Sequence, residues 1–159
     1  MKALFDQISI KCSQMVTNEY STSFSLGIRM LDKSVRKPIY AIYGFVRFAD
    51  EIVDSFEGYD QANLIADFKA QTYTAITQKI SLNPILNSFQ HAVNHYNIDH
   101  WLIDSFFDSM EMDLKEQTYD QDTFEKYILG SAQVVGLMCL RVFCNGDAKK
   151  YDELKDGAM

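Results

Sequence analysis

Glycine and proline are scarce. Seven glycines and two prolines among 159 residues are too few for a fold built on many tight turns, which argues against a small β-sandwich or barrel and for helices. Cations are also in short supply: 15 Lys and Arg stand against 22 Asp and Glu, a net charge of -7. A duplex-binding protein needs clustered cations, so nucleic acid is not the expected partner. Phosphorylated small molecules stay open, because a metal ion can supply the missing positive charge. The three cysteines, Cys12, Cys139 and Cys144, have no metal-ligand spacing and read as reduced, mostly buried thiols of a cytoplasmic protein. Long apolar runs are missing too. The longest, from Val134 to Leu140, is closed by Arg141, well short of the ~20 residues that span a bilayer. Asp6 interrupts the apolar stretch at the N-terminus, which does not read as a signal peptide. There is no G-x-S-x-G, no P-loop and no dinucleotide fingerprint. Nor is there a linker, a repeat or a low-complexity tract, so one domain is expected.

What the chain does have is apolar residues at helical spacing. Hydrophobic residues make up 47% and charged residues 23%, the balance of a globular protein. Helices are predicted from Leu4 to Thr17, through a short apolar segment from Phe24 to Leu31, and from about Pro38 to Ser55. Further helices are predicted from Asp60 to Lys79, Asn83 to Tyr96, Asp99 to about Gln117, and Asp122 to Phe143. Asp147 opens a last one. Asp32-Lys33-Ser34 can cap the third helix with Pro38 in its first turn, Asn83-Pro84 reads as an N-cap followed by an N1 proline, and Asn145-Gly146 reads as a stop.

The third helix carries the chemistry. Residues 39–54 are apolar almost all the way round, the mark of a buried helix. Its polar residues Tyr43, Arg47, Asp50 and Asp54 recur at steps of four, three and four, so they share one face. Two carboxylates on a buried helix are costly unless paired. Arg47 can offset one of them, and a hard divalent cation such as Mg²⁺ can neutralise the rest. The alternative is a structural Arg47–Asp50 salt bridge with Asp54 solvated at the helix end. Three other clusters are set aside, the first two as helix surface. Asp104-x-x-x-Asp108 is expected to be a solvated helix face. His91-x-x-x-His95 has metal-ligand spacing without a completing ligand nearby. Asp120-Gln121-Asp122-Thr123 lacks the glycine and terminal glutamate of a calcium loop.

Four segments together resemble the squalene/phytoene synthase family of head-to-head prenyl diphosphate synthases. They are residues 21–25 (S-T-S-F-S), residues 41–54, which hold Tyr43, Arg47, Asp50 and Asp54 in register, residues 110–114 with Asp113, and residues 127–136 from Tyr127 to Gly136. The resemblance implies an all-α, isoprenoid-synthase-like helical bundle and a transferase that joins two farnesyl or geranylgeranyl diphosphates with loss of diphosphate. It implies that Asp50 and Asp54 hold Mg²⁺ on a diphosphate and that Arg47 contacts the diphosphate oxygens. Tyr43 and Ser21 would offer hydroxyls at the same end. Ser23, Phe24, Tyr127 and Asp113 would line the substrate site, with Leu26, Val134, Leu137 and Met138 as apolar wall.

Two departures from the family pattern stand out. Leu129 occupies a position where many members have tyrosine. The family's second aspartate-rich motif is not found before Met159. Residues 1–159 are therefore expected to be the N-terminal part of one helical domain, its C-terminal helices missing, and to be inactive alone. Self-association through exposed apolar faces and loose membrane contact, suited to lipid-soluble products, are expected with it.

Overall fold

The computed structural model describes residues 1–115 and 121–158, and among them there are helices and no strands. α1 (Lys2–Tyr20) and α2 (Thr22–Arg29) lead into α3 (Lys33–Ser55), α4 (Gln61–Gln78), α5 (Pro84–Tyr96) and α6 (His100–Leu114). α7 (Gln121–Ile128), a π-helical turn (Leu129–Gln133) and α8 (Val134–Phe143) follow one another as a single long rod, and α9 (Ala148–Ala158) comes last.

Local chemistry sets most of the boundaries. The Asp60 side chain accepts from the Asn63 N–H to start α4, and Lys79 ends it in the left-handed region at φ 61°. Asn83 accepts from the Ile85 and Leu86 N–H groups, and Pro84 takes the first position of α5, where its missing N–H does no harm. Gly58, at φ 88°, makes the turn after α3. Asp32 accepts from the Ser34 N–H at 2.9 Å and starts α3 at Lys33. Pro38 therefore sits a turn deeper than the sequence suggests, and the Ser34 carbonyl loses its intrahelical donor. α6 runs to Leu114; Gln117, its expected end, and Asp120 lie outside the described residues.

α3 is the central strut. It packs against α1, α2, α4, α5, α6 and α8. Its Phe45 is fully buried and stacks on Phe89 at 3.8 Å between centroids, with Phe68, Phe106 and Phe107 at 5.4–5.6 Å. Such pairs add ~0.5–1.5 kcal/mol each beyond their buried area. At the other side of the bundle Arg141, 9% exposed, donates to both Asp99 oxygens at 2.9–3.0 Å and lies 3.6 Å from the Tyr151 ring centroid. That cluster joins the start of α6 to α8 and α9. With its carboxylate so engaged, Asp99 makes no side-chain cap on α6.

The sequence pattern gives no sign of the π turn. In it the Val134 N–H bonds to the Leu129 carbonyl, five residues back. Gly130 is buried there against α6. A Cβ at this position would fall under 3.0 Å from the Ser109 side chain and the Ser105 carbonyl. The segment Phe124–Phe143 is also long and apolar enough to cross a membrane by length and composition, contrary to the reading from uninterrupted runs. Interspersed Gly, Ser and Ala do not lower its average enough to fail the test. Val134, Leu137, Met138 and Val142 on this rod are buried within the bundle.

Gly130→Ala is expected to lower stability by about 1–3 kcal/mol through overpacking, read as a fall in thermal midpoint. Adding Ser109→Ala is expected to recover only part of the loss, because the Ser105 carbonyl is backbone. An unchanged midpoint for Gly130→Ala contradicts the close α6–π-turn approach.

Candidate active site

The predicted stripe lies on the C-terminal half of α3, and the end of that helix is fixed from outside. Gln61 of α4 donates to the Ile52 and Val53 carbonyls at 3.0 Å, so the last turn, which carries Asp54, is held. Asp50 is half-buried and Asp54 is exposed. Asp113, on α6, is half-buried and feels the charge of Asp54. Three carboxylates from two helices thus share one region.

Arg47 does not neutralise Asp50. It forms an ion pair with Glu51 at 2.6 Å, one turn along α3, and its guanidinium lies over the Tyr20 ring, 4.6 Å from the centroid. The Arg47–Asp50 salt bridge weighed from the sequence is replaced by this Arg47–Glu51–Tyr20 arrangement, because the (i, i+4) glutamate reaches the guanidinium fork in line. The Arg47 Nε is buried without a hydrogen-bond partner. The hydrogen bond from Arg47 holds Glu51 below the usual carboxylate range, with Ser55 adding to it. Burial, then the nearby Asp54, pushes Asp50 up to about 6, with Arg47 opposing and Asp113 and Glu51 adding. Burial and Asp54 likewise raise Asp113. The stripe therefore carries negative charge that side chains leave uncompensated.

The remaining predicted residues divide. Tyr43 stacks on Phe24 with centroids 4.8 Å apart, so α2 is brought against the stripe. Ser21 caps α2 by accepting from the Phe24 N–H at 3.1 Å, and Ser23 is exposed. Phe24 itself is 43% exposed and Leu26 53%. Val134, Leu137 and Met138 are buried in the core. Tyr127 is half-buried, and its carbonyl accepts from Ser109 at 3.4 Å. Glu51, Tyr20 and Gln61 were not singled out from the sequence. Glu51, four residues after Arg47, carried a signal that could have been read.

The substrate site expected beside the aspartates is open on this face: Asp54, Phe24 and Tyr20 all meet solvent. A cavity of about 300 Å³ lies instead at the opposite end of α3, against α1 and α5. Asp104 and Asp108 are exposed, as expected, although Tyr73 donates to Asp104. All three cysteines are free.

Hard oxygen donors with excess negative charge suit Mg²⁺. Among the described residues no three side chains already form a metal cage.

A sequence model of the squalene/phytoene synthase family matches residues 17–158. The chain is 27% identical over 133 residues to a 4,4'-diapophytoene synthase of Staphylococcus haemolyticus, covering 82% of this chain and 46% of that protein. It is 26% identical over 125 residues to a presqualene diphosphate synthase of Rhodopseudomonas palustris, covering 77% and 44%. A solved dehydrosqualene synthase with bound ligand shares the fold at a TM-score of 0.81 with 19% identity, covering 96% of this chain and 52% of that one. The chain spans about half the length of the curated relatives it matches.

Asp50 has a direct consequence for stability. The unfolded carboxyl loses its proton near 3.8 and the folded one near 6. The native state therefore holds that proton more tightly, and the stability this gives, full below the lower value, is lost as pH rises through the upper one. Asp50→Asn is expected to raise the thermal midpoint at pH 7.5 in metal-free buffer and to match the parent at pH 3.5. A lower midpoint at pH 7.5 contradicts an uncompensated Asp50.

Proposed function

Since the chain belongs to the squalene/phytoene synthase family, whose members are head-to-head prenyl diphosphate synthases, we propose that this protein serves the Mg²⁺-dependent joining of two farnesyl or geranylgeranyl diphosphates with release of diphosphate. The observation that carries this reading is the uncompensated carboxylate group of Asp50, Asp54 and Asp113 beside a guanidinium on a largely buried helix. Asp50 and Asp54 are the residues that would hold the metal. Bound there, Mg²⁺ would stabilise negative charge on a departing diphosphate.

The chain's own residues supply the rest. Arg47 exchanges Glu51 for diphosphate oxygens, which its planar fork fits in pairs. Tyr20 keeps the guanidinium plane in place during that exchange. Tyr43 lies one turn before Arg47 on α3, and Ser21 opens α2. Phe24 and Tyr43, stacked, present aromatic surface beside the carboxylates, and aromatic faces favour the cation left when diphosphate departs. A diphosphate clamp of this kind needs a second aspartate-rich motif facing the first, and the family's second motif is not found within residues 1–159. Turnover by these residues alone is therefore negligible in this reading, while diphosphate binding remains. Loose membrane contact follows from the apolar products.

A second reading, a helical module that self-associates, is favoured by one surface. Leu4, Ile8 and Met15 share a face of α1 and are each about half exposed, and Met30 is 87% exposed. Light scattering at increasing concentration is expected to show a dimer or larger species; a monomer throughout removes this reading.

The principal reading is tested by calorimetric titration of the chain with inorganic pyrophosphate, with Mg²⁺ and with EDTA. Binding is expected only with Mg²⁺ and is expected to be lost in Asp50→Asn and Asp54→Asn. Glu51→Gln, which frees Arg47, is expected to tighten it about two- to fivefold, the size of a part-exposed ion pair. No Mg²⁺-dependent binding overturns the proposal. Squalene or phytoene formed by residues 1–159 alone contradicts the incomplete clamp.

A further inference from the structure

The cavity at the other end of α3 lies about 20 Å along the helix from the aspartates, at 1.5 Å per residue. Its floor is apolar: Ala41 and Ala92 are each 1% exposed. Its back wall is Asn87, 2% exposed, and every polar atom of that side chain is used. The Asn87 amide donates to Asp6 Oδ1 at 2.9 Å and Ser9 Oγ at 3.1 Å, and its carbonyl accepts from the Ser81 N–H at 3.3 Å and Gln90 Nε2 at 3.4 Å. Lys2 donates to the other Asp6 oxygen at 2.7 Å. Asp6 is thus fixed and neutralised by its own neighbours.

Apart from Asp6, the charged lining groups are cationic or able to become so. Lys37 of α3 lines the cavity and has no ion-pair partner among the described residues. His91 and His95, one turn apart on α5, line it as well. Their rings are 5.7 Å apart and within 12° of parallel. The charged and titratable groups at this place are Asp6 and Lys2 from α1, Lys37 from α3, and His91, His95 and Tyr96 from α5. Asp6 against two lysines leaves a positive balance before either imidazole takes a proton. That is the reverse of the chain as a whole, at -7.

Two histidines at this spacing also suit a transition metal. Among the described residues, however, no third ligand completes a set, and the two lysines raise the potential against a cation. An anion meets the opposite conditions. Burial, and then repulsion from His95, holds His91 below the usual imidazole range, with Asp6 opposing and Lys2 adding. An anion beside the pair reverses that balance and draws protons onto the rings.

We propose that the cavity bounded by Lys37, His91 and His95 is a binding site for a small oxyanion, a phosphate or a carboxylate, separate from the aspartate stripe. The site does not depend on the proposed prenyl transfer. The test is NMR of the histidine side chains of the whole chain at pH 7, titrated in separate arms with inorganic phosphate, acetate, sodium chloride and zinc chloride. Saturable movement of the His91 and His95 signals toward their protonated positions is expected with phosphate or acetate and not with chloride. Which of the two saturates at lower concentration identifies the anion class. Lys37→Ala is expected to weaken binding about tenfold, in keeping with loss of one charge-assisted contact. His91→Gln with His95→Gln is expected to abolish the stabilisation that the anion gives against heat, while leaving the midpoint without anion unchanged. Linear, unsaturating shifts overturn the proposal, as do shifts unaltered by Lys37→Ala, or saturation by zinc alone.

Discussion

A helix that is apolar on nearly every side has to be enclosed, and whatever polar groups it carries are taken along. α3 is that helix here. Its Ile39, Ile42, Phe45, Ala49 and Ile52 are buried among five other long elements, and the stacked phenylalanines around Phe45 fix its depth. Asp50 stands on the flank of this enclosed helix, half-buried while Asp54, one turn on, is exposed. Burial is the first cause of its raised proton affinity. The same enclosure holds Arg47 close to the bundle, where Tyr20 and Glu51 become its partners. Stability and reactivity are in this sense opposed at Asp50: the charge that suits a metal is the charge the fold bears at neutral pH.

Local signals made much of the architecture legible. Asp60, Lys79, Asn83-Pro84 and Asn145-Gly146 are short-range devices, and each acts through atoms within five residues of itself. Their positions could be read directly. Pro38 was misjudged because Asp32 and Ser34 nucleate α3 earlier than the proline requires. The stripe of Tyr43, Arg47, Asp50 and Asp54 was legible from periodicity, and its likeness to the family followed from the order of the four segments.

The parts that stayed hidden depend on tertiary arrangement. Arg47 has acids at both the third and the fourth residue after it, and its pairing with Glu51 comes together with the Tyr20 ring of α1, which the spacing does not reveal. That Asp113 stands near Asp54 follows from the approach of α6 to α3, with about sixty residues of chain between them. Asp99 reads as the start of a helix, and its role as the counter-ion of Arg141 is set by the approach of α8. His91 and His95 read as helix surface, and they are exposed. Their role as a cavity wall becomes visible only when α1 and the start of α3 are placed opposite. In each case the sequence supplies a competent group, and the packing decides its partner.

The turn from Leu129 to Gln133 carries one residue more than a regular helical turn, so the rod swivels by about 100° there. Tyr127 lies before the swivel, and Val134 and Leu137 lie beyond it. Counting letters across the joint therefore misstates which side chains look the same way. A relative without the extra residue, matched letter for letter along this rod, would have its facing directions turned by about 100° on one side of the joint. The leucine standing where many relatives place a tyrosine sits at the joint itself, where identity of column and identity of facing direction part company.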